Sequence, residues 1–162
     1  MNSMNRGNKP MIALVSTRNR LGLLMGSSIP SIVHQDRKPD RLVIVNDGIP
    51  FTDQQESDVI NTTFPLPVTI LPNKRTPGMS GALNTGIEFA ASIFRHAYLA
   101  ILDDDDSWDA THLDVNYRAA HVAGLPISIS GLRLIIDGME HRRPVTIPRQ
   151  SRGLSLCEPL KA

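Results

Sequence analysis

The chain has 162 residues, of which 41% are hydrophobic and 20% charged, so it suits one compact domain with a real core. Its 17 Lys and Arg against 16 Asp and Glu give a formal net charge of +1, which excludes a global basic field for nucleic acid. The single Cys157 excludes an internal disulfide, and no apolar run reaches the roughly 20 residues of a spanning helix, so we expect a soluble cytoplasmic protein without a transmembrane segment.

Four apolar runs are continuous rather than alternating, which is typical of parallel strands covered on both faces. They span residues 11–15, 42–45, 68–71 and 98–102. Helical patterns lie between them at 21–35, 52–61 and 80–95, and Pro30 is expected to kink or split the first. This order predicts an open, mostly parallel α/β sheet flanked by helices.

The rest of the chain is less regular. A helix is predicted over 108–122, and short apolar runs at 127–129 and 132–136 predict two more strands. We therefore expect a polar segment over 1–10, a folded domain over 11–137 and an irregular loop or tail over 138–162.

Polar residues follow each of the four strands, where ligands bind in open parallel sheets. Residues 16–20 follow the first strand, 46–48 the second, 73–75 the third and 103–106 the fourth. Cations and carboxylates are thus expected to share one rim of the sheet.

The run of four aspartates at 103–106 predicts a cation site, because clustered carboxylates repel one another unless a cation joins them. In an extended chain Asp103 and Asp105 point to one side, so alternation makes them the candidate metal ligands. Asp104 and Asp106 would turn elsewhere or cap the next helix. Carboxylate oxygens suit Mg²⁺ or Mn²⁺. The alternative is a solvated acidic turn, but the apolar strand before the acids and the nearby Arg and Lys favour a metal-bound diphosphate.

Residues 102–108, Leu-Asp-Asp-Asp-Asp-Ser-Trp, resemble the LDxDDxW signature of family 2 glycosyltransferases, which have the GT-A fold. Three further blocks are similar to that family in the same order: the opening strand with its Thr-x-Asn-Arg turn at 12–20, residues 31–48, and the Gly and Asn helix start at 78–86. The resemblance covers about residues 11–113 and implies a nucleotide-sugar-binding domain.

By this resemblance, Thr17 and Arg20 line the base and phosphate pocket, Asn46 faces the base, Asp103 lies near the ribose, and Asp105 holds the metal. The residues that the resemblance implies for nucleotide binding are Thr17, Arg20, Asn46, Asp47, Gly81, Asn84, Asp103 and Asp104. Alternative roles are structural: Thr17 and Asp47 shaping turns, Asn84 capping a helix, Trp108 packing, and His34 and His112 lying on helix surfaces.

The resemblance implies inverting transfer of a sugar from a nucleotide-diphosphate donor, UDP- or dTDP-linked, with Mn²⁺ or Mg²⁺. The acceptor would be a carbohydrate, lipid or protein. A carboxylate on a later segment should act as general base. None stands in the family's acceptor-side context, and the candidates are Asp137 and Glu140, in a predicted turn. The family's domain normally extends further, so we expect a truncated, fragmentary or frameshifted chain.

Two other functional classes compete with a transferase. A noncatalytic nucleotide-sugar-binding module would keep the donor site without the base. A magnesium-dependent phosphoacceptor of the receiver type would need carboxylates after the first strand, where this chain has Thr17 and Arg18.

Overall fold

The computed structural model describes residues 9–124, 127–136, 139–143 and 155–156, within two compact units, Met1–Leu113 and Asp114–Ala162. Strands and helices alternate along the first unit, as the apolar runs predict. Its elements are β1 (Met11–Thr17), α1 (Leu21–Leu23), a π-helical turn (Leu24–Ser28), α2 (Ile29–Val33), β2 (Arg41–Asn46), α3 (Asp53–Thr63), β3 (Val68–Pro72), α4 (Met79–Ile93) and β4 (Tyr98–Asp103).

The four strands form one parallel sheet in the order β3-β2-β1-β4. Thr17 at the end of β1 is in register with Asn46 of β2, and the preceding Ser16 is in register with Asp103 of β4. The polar segments after these strands therefore start at one edge of the sheet. Strand order reverses between β1 and β4, which makes their carboxyl ends the expected binding crevice. The predicted open parallel α/β sheet is confirmed.

Alternate residues of the two central strands face opposite layers of helices. Ala13 and Val15 belong to a buried cluster with residues of the π-helical turn, α2 and α3, whereas Ile12 and Leu14 pack with α4. A Cβ on Gly86 of α4 would lie 2.3 Å from Leu14 Cδ1, so a larger residue would displace Leu14 where this helix meets the sheet. The outer strands β3 and β4 are only partly buried.

Pro30 splits the first predicted helix. The π-helical turn comes directly before α2, in which Pro30 is the second residue. Proline has no N–H to donate and its ring crowds the carbonyl one turn earlier, so a widened turn accommodates it. The segment remains helical from Leu21 to Val33 and ends two residues before the predicted end.

The helix predicted over 108–122 begins later, as α5 (His112–Ala123). Side-chain and backbone groups at the end of the first helical segment account for the delay. Gln35 Nε2 donates to the carbonyl of Asp109 at 2.7 Å, and the N–H of Asp36 donates to the carbonyl of Ala110 at 2.8 Å. These two carbonyls thus bond to the neighbouring segment outside α5.

The second unit contains β5 (Ser128–Ile129), β6 (Leu132–Ile136), β7 (Met139–Arg143) and β8 (Ser155–Leu156). The expectation of an irregular segment from residue 138 onward is wrong for β7 and β8. β7 is polar and lacks apolar alternation, so its strand conformation comes from antiparallel pairing with β6. The expected domain end at 137 also differs from the unit boundary after Leu113. In the described parts of the chain, no helix is both long and apolar enough to cross a membrane.

Candidate functional site

A pocket of about 250 Å³ lies where the ends of β1, β2 and β4 meet the start of α4. Three of these elements contribute charged side chains. The residues that line the pocket are Ser16, Thr17, Arg18, Arg20, Asp47, Gly78, Met79, Ala82 and Asp103. Cations and carboxylates therefore share one concave site at the point where strand order reverses.

The turn after β1 interlocks with the turn after β2. Asn19 has a positive φ of 57°, which asparagine tolerates better than most residues, and its Oδ1 accepts the N–H of Ile49 at 2.8 Å. A Cβ on Gly48 would lie 2.2 Å from this Oδ1, so a larger residue would displace the Asn19 side chain from this contact. This close contact fixes the position of the loop that carries Arg18 and Arg20.

The acidic segment leaves the strand conformation immediately after Asp103. The N–H of Asp106 donates to the carbonyl of Asp103 at 3.2 Å, which closes a turn over Asp104 and Asp105. Ser27 Oγ also donates to the carbonyls of Asp105 and Asp106, at 3.2 and 3.0 Å. The predicted alternation is therefore wrong beyond Asp103, because the chain turns where the alternation argument needs it to stay extended.

Asp104 is the buried member of the acidic run, with no exposed surface. Its Oδ2 accepts hydrogen bonds from the Thr17 hydroxyl at 2.7 Å and from Arg20 Nε at 3.2 Å, and its Oδ1 accepts a hydrogen bond from a terminal nitrogen of Arg20. Both oxygens are thus held by residues at the end of β1. The carboxylates, Asp104 foremost, hold the pKa of the Arg20 guanidinium above its ordinary value. A nucleotide would reach Asp104 only if these contacts opened.

Arg20 also reaches Asp105, so that one guanidinium bridges two carboxylates. Its Nη1 lies 3.0 Å from Asp105 Oδ2, and the two side chains are 47% and 46% exposed. An ion pair this exposed contributes little stability and exchanges readily with solvent ions. Asp105 is therefore accessible, whereas Asp104 is not.

Asp103 is the only one of the four aspartates that lines the pocket. Burial raises the pKa of its carboxyl, and the charges of Asp106, Asp105 and Asp104 raise it further, against an opposing effect of Arg20. A divalent cation beside these carboxylates would offset the repulsion, so the chemistry of the acidic run is compatible with a hard metal. Over the residues that the structure describes, no group of three or more His, Cys, Asp or Glu side chains is arranged to hold a metal ion.

Asp47 connects the end of β2 to the start of α4. Its Oδ2 accepts the N–H of Gly78 at 2.7 Å, its Oδ1 accepts the Asn73 amide, and Arg18 lies 3.8 Å away. The Asn73 hydrogen bond first, and then Gly78 and Arg18, lower the pKa of this carboxyl against the opposing effect of burial. Asp47 lines the pocket and orients the first turn of α4.

Asn46 uses its side-chain amide within its own turn. The amide nitrogen donates to the carbonyl of Ile49 at 2.8 Å, and Oδ1 accepts the N–H of Gly48 at 2.9 Å. Asn46 is 6% exposed and is not among the residues that line the pocket. Asn46 therefore lies at the edge of the site, and both polar atoms of its amide are already hydrogen-bonded within the turn.

The two predicted residues of α4 lie in different environments. A Cβ on Gly81 would lie 1.9 Å from the carbonyl oxygen of Thr76, so this buried glycine permits the close approach of the loop before the helix. Asn84 is exposed and does not line the described pocket. The loop is held further by the Thr85 hydroxyl, which donates to Asn73 Oδ1 at 2.9 Å.

Arg18, Gly78 and Met79 line the pocket, although the sequence assigned none of them an individual binding role. Their positions directly after β1 and at the start of α4 were the available signal. Of the cations expected from the third strand, Arg75 pairs with Glu88 instead.

Trp108 packs against the core cluster and stacks on His112, with ring centroids 4.8 Å apart. Desolvation lowers the pKa of His112 to about 4, so the ring is neutral at pH 7. His112 is therefore not a freely solvated surface residue. His34 is exposed, as predicted.

The two base candidates lie in the second unit. Glu140 is in β7, and its carboxylate lies 3.7 Å from Arg133 of β6, so the predicted turn at this position is wrong. Pairing between β6 and β7 extends the strand through Glu140. Asp137 lies outside the described residues.

Comparison with known proteins identifies a family over most of the chain. The model of glycosyl transferase family 2 matches residues 13–155. The galactofuranosyltransferase GlfT1 of Mycolicibacterium smegmatis is 32% identical over 113 residues, which cover 70% of this chain and 36% of that protein.

Two solved structures have a similar fold. The mannosyltransferase PcManGT of Pyrobaculum calidifontis, in complex with GDP-Man and Mn²⁺, matches with a TM-score of 0.50 and 27% identity, over 75% of this chain and 34% of that one. S. aureus TarS 1–349 in complex with UDP matches with a TM-score of 0.59 and 16% identity, over 88% of this chain and 40% of that one, and supports the fold alone. The chain thus spans between about a third and two fifths of the length of these relatives. Because the family model covers both the sheet that builds the pocket and the acidic turn, the chain belongs to glycosyl transferase family 2.

Proposed function

We propose that this chain binds a nucleotide-diphosphate sugar and forms the donor site of a glycosyltransferase. The observation that carries this proposal is the pocket itself, in which Arg18, Arg20 and the start of α4 face Asp103 and Asp47. A diphosphate needs positive charge, and a divalent ion lets it approach carboxylates. The PcManGT complex with GDP-Man and Mn²⁺ supports this assignment for a protein of similar fold.

The proposed diphosphate site combines three sources of positive charge. Arg18 has a side chain that is 62% exposed, so it is free to turn towards a phosphate. The first turn of α4 presents backbone N–H groups that have no partner within the helix and favour anions. The third source is Mn²⁺ or Mg²⁺ held by Asp103 and Asp105, which when bound would neutralise charge on the departing nucleotide diphosphate.

For the donor base we propose uracil or thymine, as the resemblance of the sequence implies, in contrast to the GDP-Man of the PcManGT complex. Asn46 would affect base binding indirectly, by closing the turn after β2, since its amide already bonds to Gly48 and Ile49. Asp104 and Thr17 would position the acidic turn from within, and Asp103 would lie beside the ribose and the metal. Gly81 and Asn84 would support the start of α4.

Transfer itself requires an acceptor hydroxyl in line with the anomeric carbon and a group that takes its proton. The acceptor would be a carbohydrate, lipid or protein, and Asp137 or Glu140 would be the base of a reaction catalysed by this chain alone. Loss of general-base assistance typically costs about 10²- to 10⁴-fold in rate. A chain that binds donor without such a base would show only slow donor hydrolysis.

The alternative function is a noncatalytic nucleotide-sugar-binding module. It is supported by the concentration of the site's features in the first unit, before Leu113. Nucleotide release and glycosylated product, followed separately over a library of acceptors, distinguish the two functions. Robust product formation requires a transferase, whereas donor binding with at most slow nucleotide release indicates the module.

Calorimetry with UDP, dTDP, GDP and CDP, each with Mn²⁺, tests the donor assignment. We expect UDP and dTDP to bind more tightly than GDP and CDP. Equal affinities for all four nucleotides would contradict the proposed base. If none of the four nucleotides bound, the proposed donor site would be contradicted.

A further inference from the structure

Arg20 has an arrangement that differs from that of a simple phosphate ligand. Three of its side-chain N–H contacts go to carboxylates, two of them to Asp104 and one to Asp105. The Asp104 end is anchored in the protein interior, because Asp104 has no exposed surface and also accepts the Thr17 hydroxyl. The Asp105 end is about half exposed on both partners.

Because of this difference in burial, a cation that enters the site should affect the contact of Arg20 with Asp105 and leave its contact with Asp104 in place. A buried carboxylate that loses its cationic partner is strongly disfavoured, so Arg20 stays with Asp104. The exposed contact with Asp105 is weak and screened by solvent, so another cation can replace it. Arg20 Nη1 and a divalent ion would both need the carboxylate of Asp105.

We propose that Arg20 is an internal counter-cation that holds Asp105 before the divalent ion binds, and that the ion takes Asp105 from Arg20 while the Arg20–Asp104–Thr17 contacts remain. This inference deepens the proposed function and depends on its metal site. Arg20 is then a positioning residue, which holds the turn at 103–106 through Asp104 and lowers the affinity for the ion by competing with it for Asp105. Ser27 supports the same geometry through the carbonyls of Asp105 and Asp106.

The substitution Arg20→Lys separates the two contacts. A lysine ammonium can remain beside Asp104, but it lacks the planar fork with which Arg20 bridges both carboxylates. Asp105 would then be free, and we expect Mn²⁺ alone to bind about two- to five-fold more tightly than to the unsubstituted chain, a change in the range of an exposed ion pair. A residue that served only to bind phosphate would not change the affinity for Mn²⁺ measured without nucleotide.

Arg75→Lys is the matched control. Arg75 forms a similarly exposed pair with Glu88, its side chain being 46% exposed, and it does not line the described pocket. Its substitution should leave Mn²⁺ affinity unchanged. Titrations by calorimetry should be accompanied by circular dichroism of each variant, to establish that the chain is folded.

A second measurement uses the unsubstituted chain and does not depend on the folding of a variant. In a titration with Mg²⁺ followed by NMR, the Arg20 side-chain signals should shift with the same midpoint as the backbone signals of Asp105. Folded Arg20→Lys with unchanged or weaker Mn²⁺ affinity, or Arg20 signals that stay constant at Mg²⁺ saturation, would overturn the inference while the metal site stands. No binding of Mn²⁺ or Mg²⁺ by the unsubstituted chain, with or without UDP, would instead overturn the metal site and the inference together.

Discussion

Arg20→Met should destabilise the chain strongly, because it leaves the Asp104 carboxylate buried without its cationic partner. Asp104 would keep only the Thr17 hydroxyl of the contacts described above. Breaking a buried ion pair from one side typically costs about 3–5 kcal/mol. Because Arg20 itself is half exposed, we expect a smaller loss than this in the free energy of unfolding at pH 7, but a larger loss than for an ion pair exposed on both partners.

Urea unfolding followed by circular dichroism measures this loss, and Arg75→Met provides the comparison. The Arg75 pair with Glu88 is exposed on both partners, so its removal should cost much less than the removal of Arg20.

The substitution Asp104→Asn should partly rescue Arg20→Met. Asparagine removes the buried charge while its carbonyl oxygen still accepts the Thr17 hydroxyl. The double variant should be more stable than Arg20→Met alone, which is a favourable coupling of the kind that residues in contact show. Equal losses of stability for Arg20→Met and Arg75→Met, or additive losses in the double variant, would contradict the conclusion that Arg20 stabilises the buried carboxylate of Asp104.

Three further substitutions test neighbouring parts of the site. Asp103→Asn should raise the melting temperature at pH 7, because burial and like charges raise the pKa of Asp103 and so disfavour its ionised form in the folded chain. The gain in melting temperature should fade as the pH drops and Asp103 becomes protonated. A gain that is independent of pH would contradict this cause. His112 has a pKa of about 4 against an ordinary value of 6.5, so the folded chain should lose stability as the pH falls from about 6.5 to 4. The full difference corresponds to at most about 3 kcal/mol, and because the ring is only partly buried we expect a loss of about 1–2 kcal/mol. Urea titrations at pH 7 and 4.5 measure this loss, which should be absent from His112→Gln. Asn46→Asp should cost about 1–2 kcal/mol in the same unfolding assay, because a carboxylate cannot donate to the Ile49 carbonyl, and unchanged stability would mean that this hydrogen bond does not stabilise the turn.

The sheet was predictable because its signals are local and strong. The central strands β1 and β2 are continuous apolar runs that are buried over nearly their whole length. Pro30 and the Gly78 turn mark helix boundaries that follow from backbone chemistry. The polar β7 was not predictable in this way, because its pairing with β6 is a tertiary contact with no pattern of its own.

Within the site, the sequence indicated the residue types and the strand ends but not the direction of each side chain. Asp103, at the end of β4, lines the pocket, whereas strand alternation does not describe the residues after it, because a turn begins there. The burial of Asp104 depends on Thr17 and Arg20, which lie more than 80 residues earlier in the chain. Such long-range pairings cannot be read from the spacing of the four aspartates.

Metal-dependent binding of UDP is the most direct test of the proposed donor site. Calorimetry should compare the unsubstituted chain with Asp105→Asn, each with and without Mn²⁺. We expect Mn²⁺ to tighten UDP binding to the unsubstituted chain, because two phosphates beside Asp103 and Asp105 otherwise place anions against anions, and we expect Asp105→Asn to remove that effect. The same Mn²⁺ stimulation in a folded Asp105→Asn variant would contradict the assignment of Asp105 as a metal ligand, and UDP binding that never responds to Mn²⁺ would contradict the metal-assisted site.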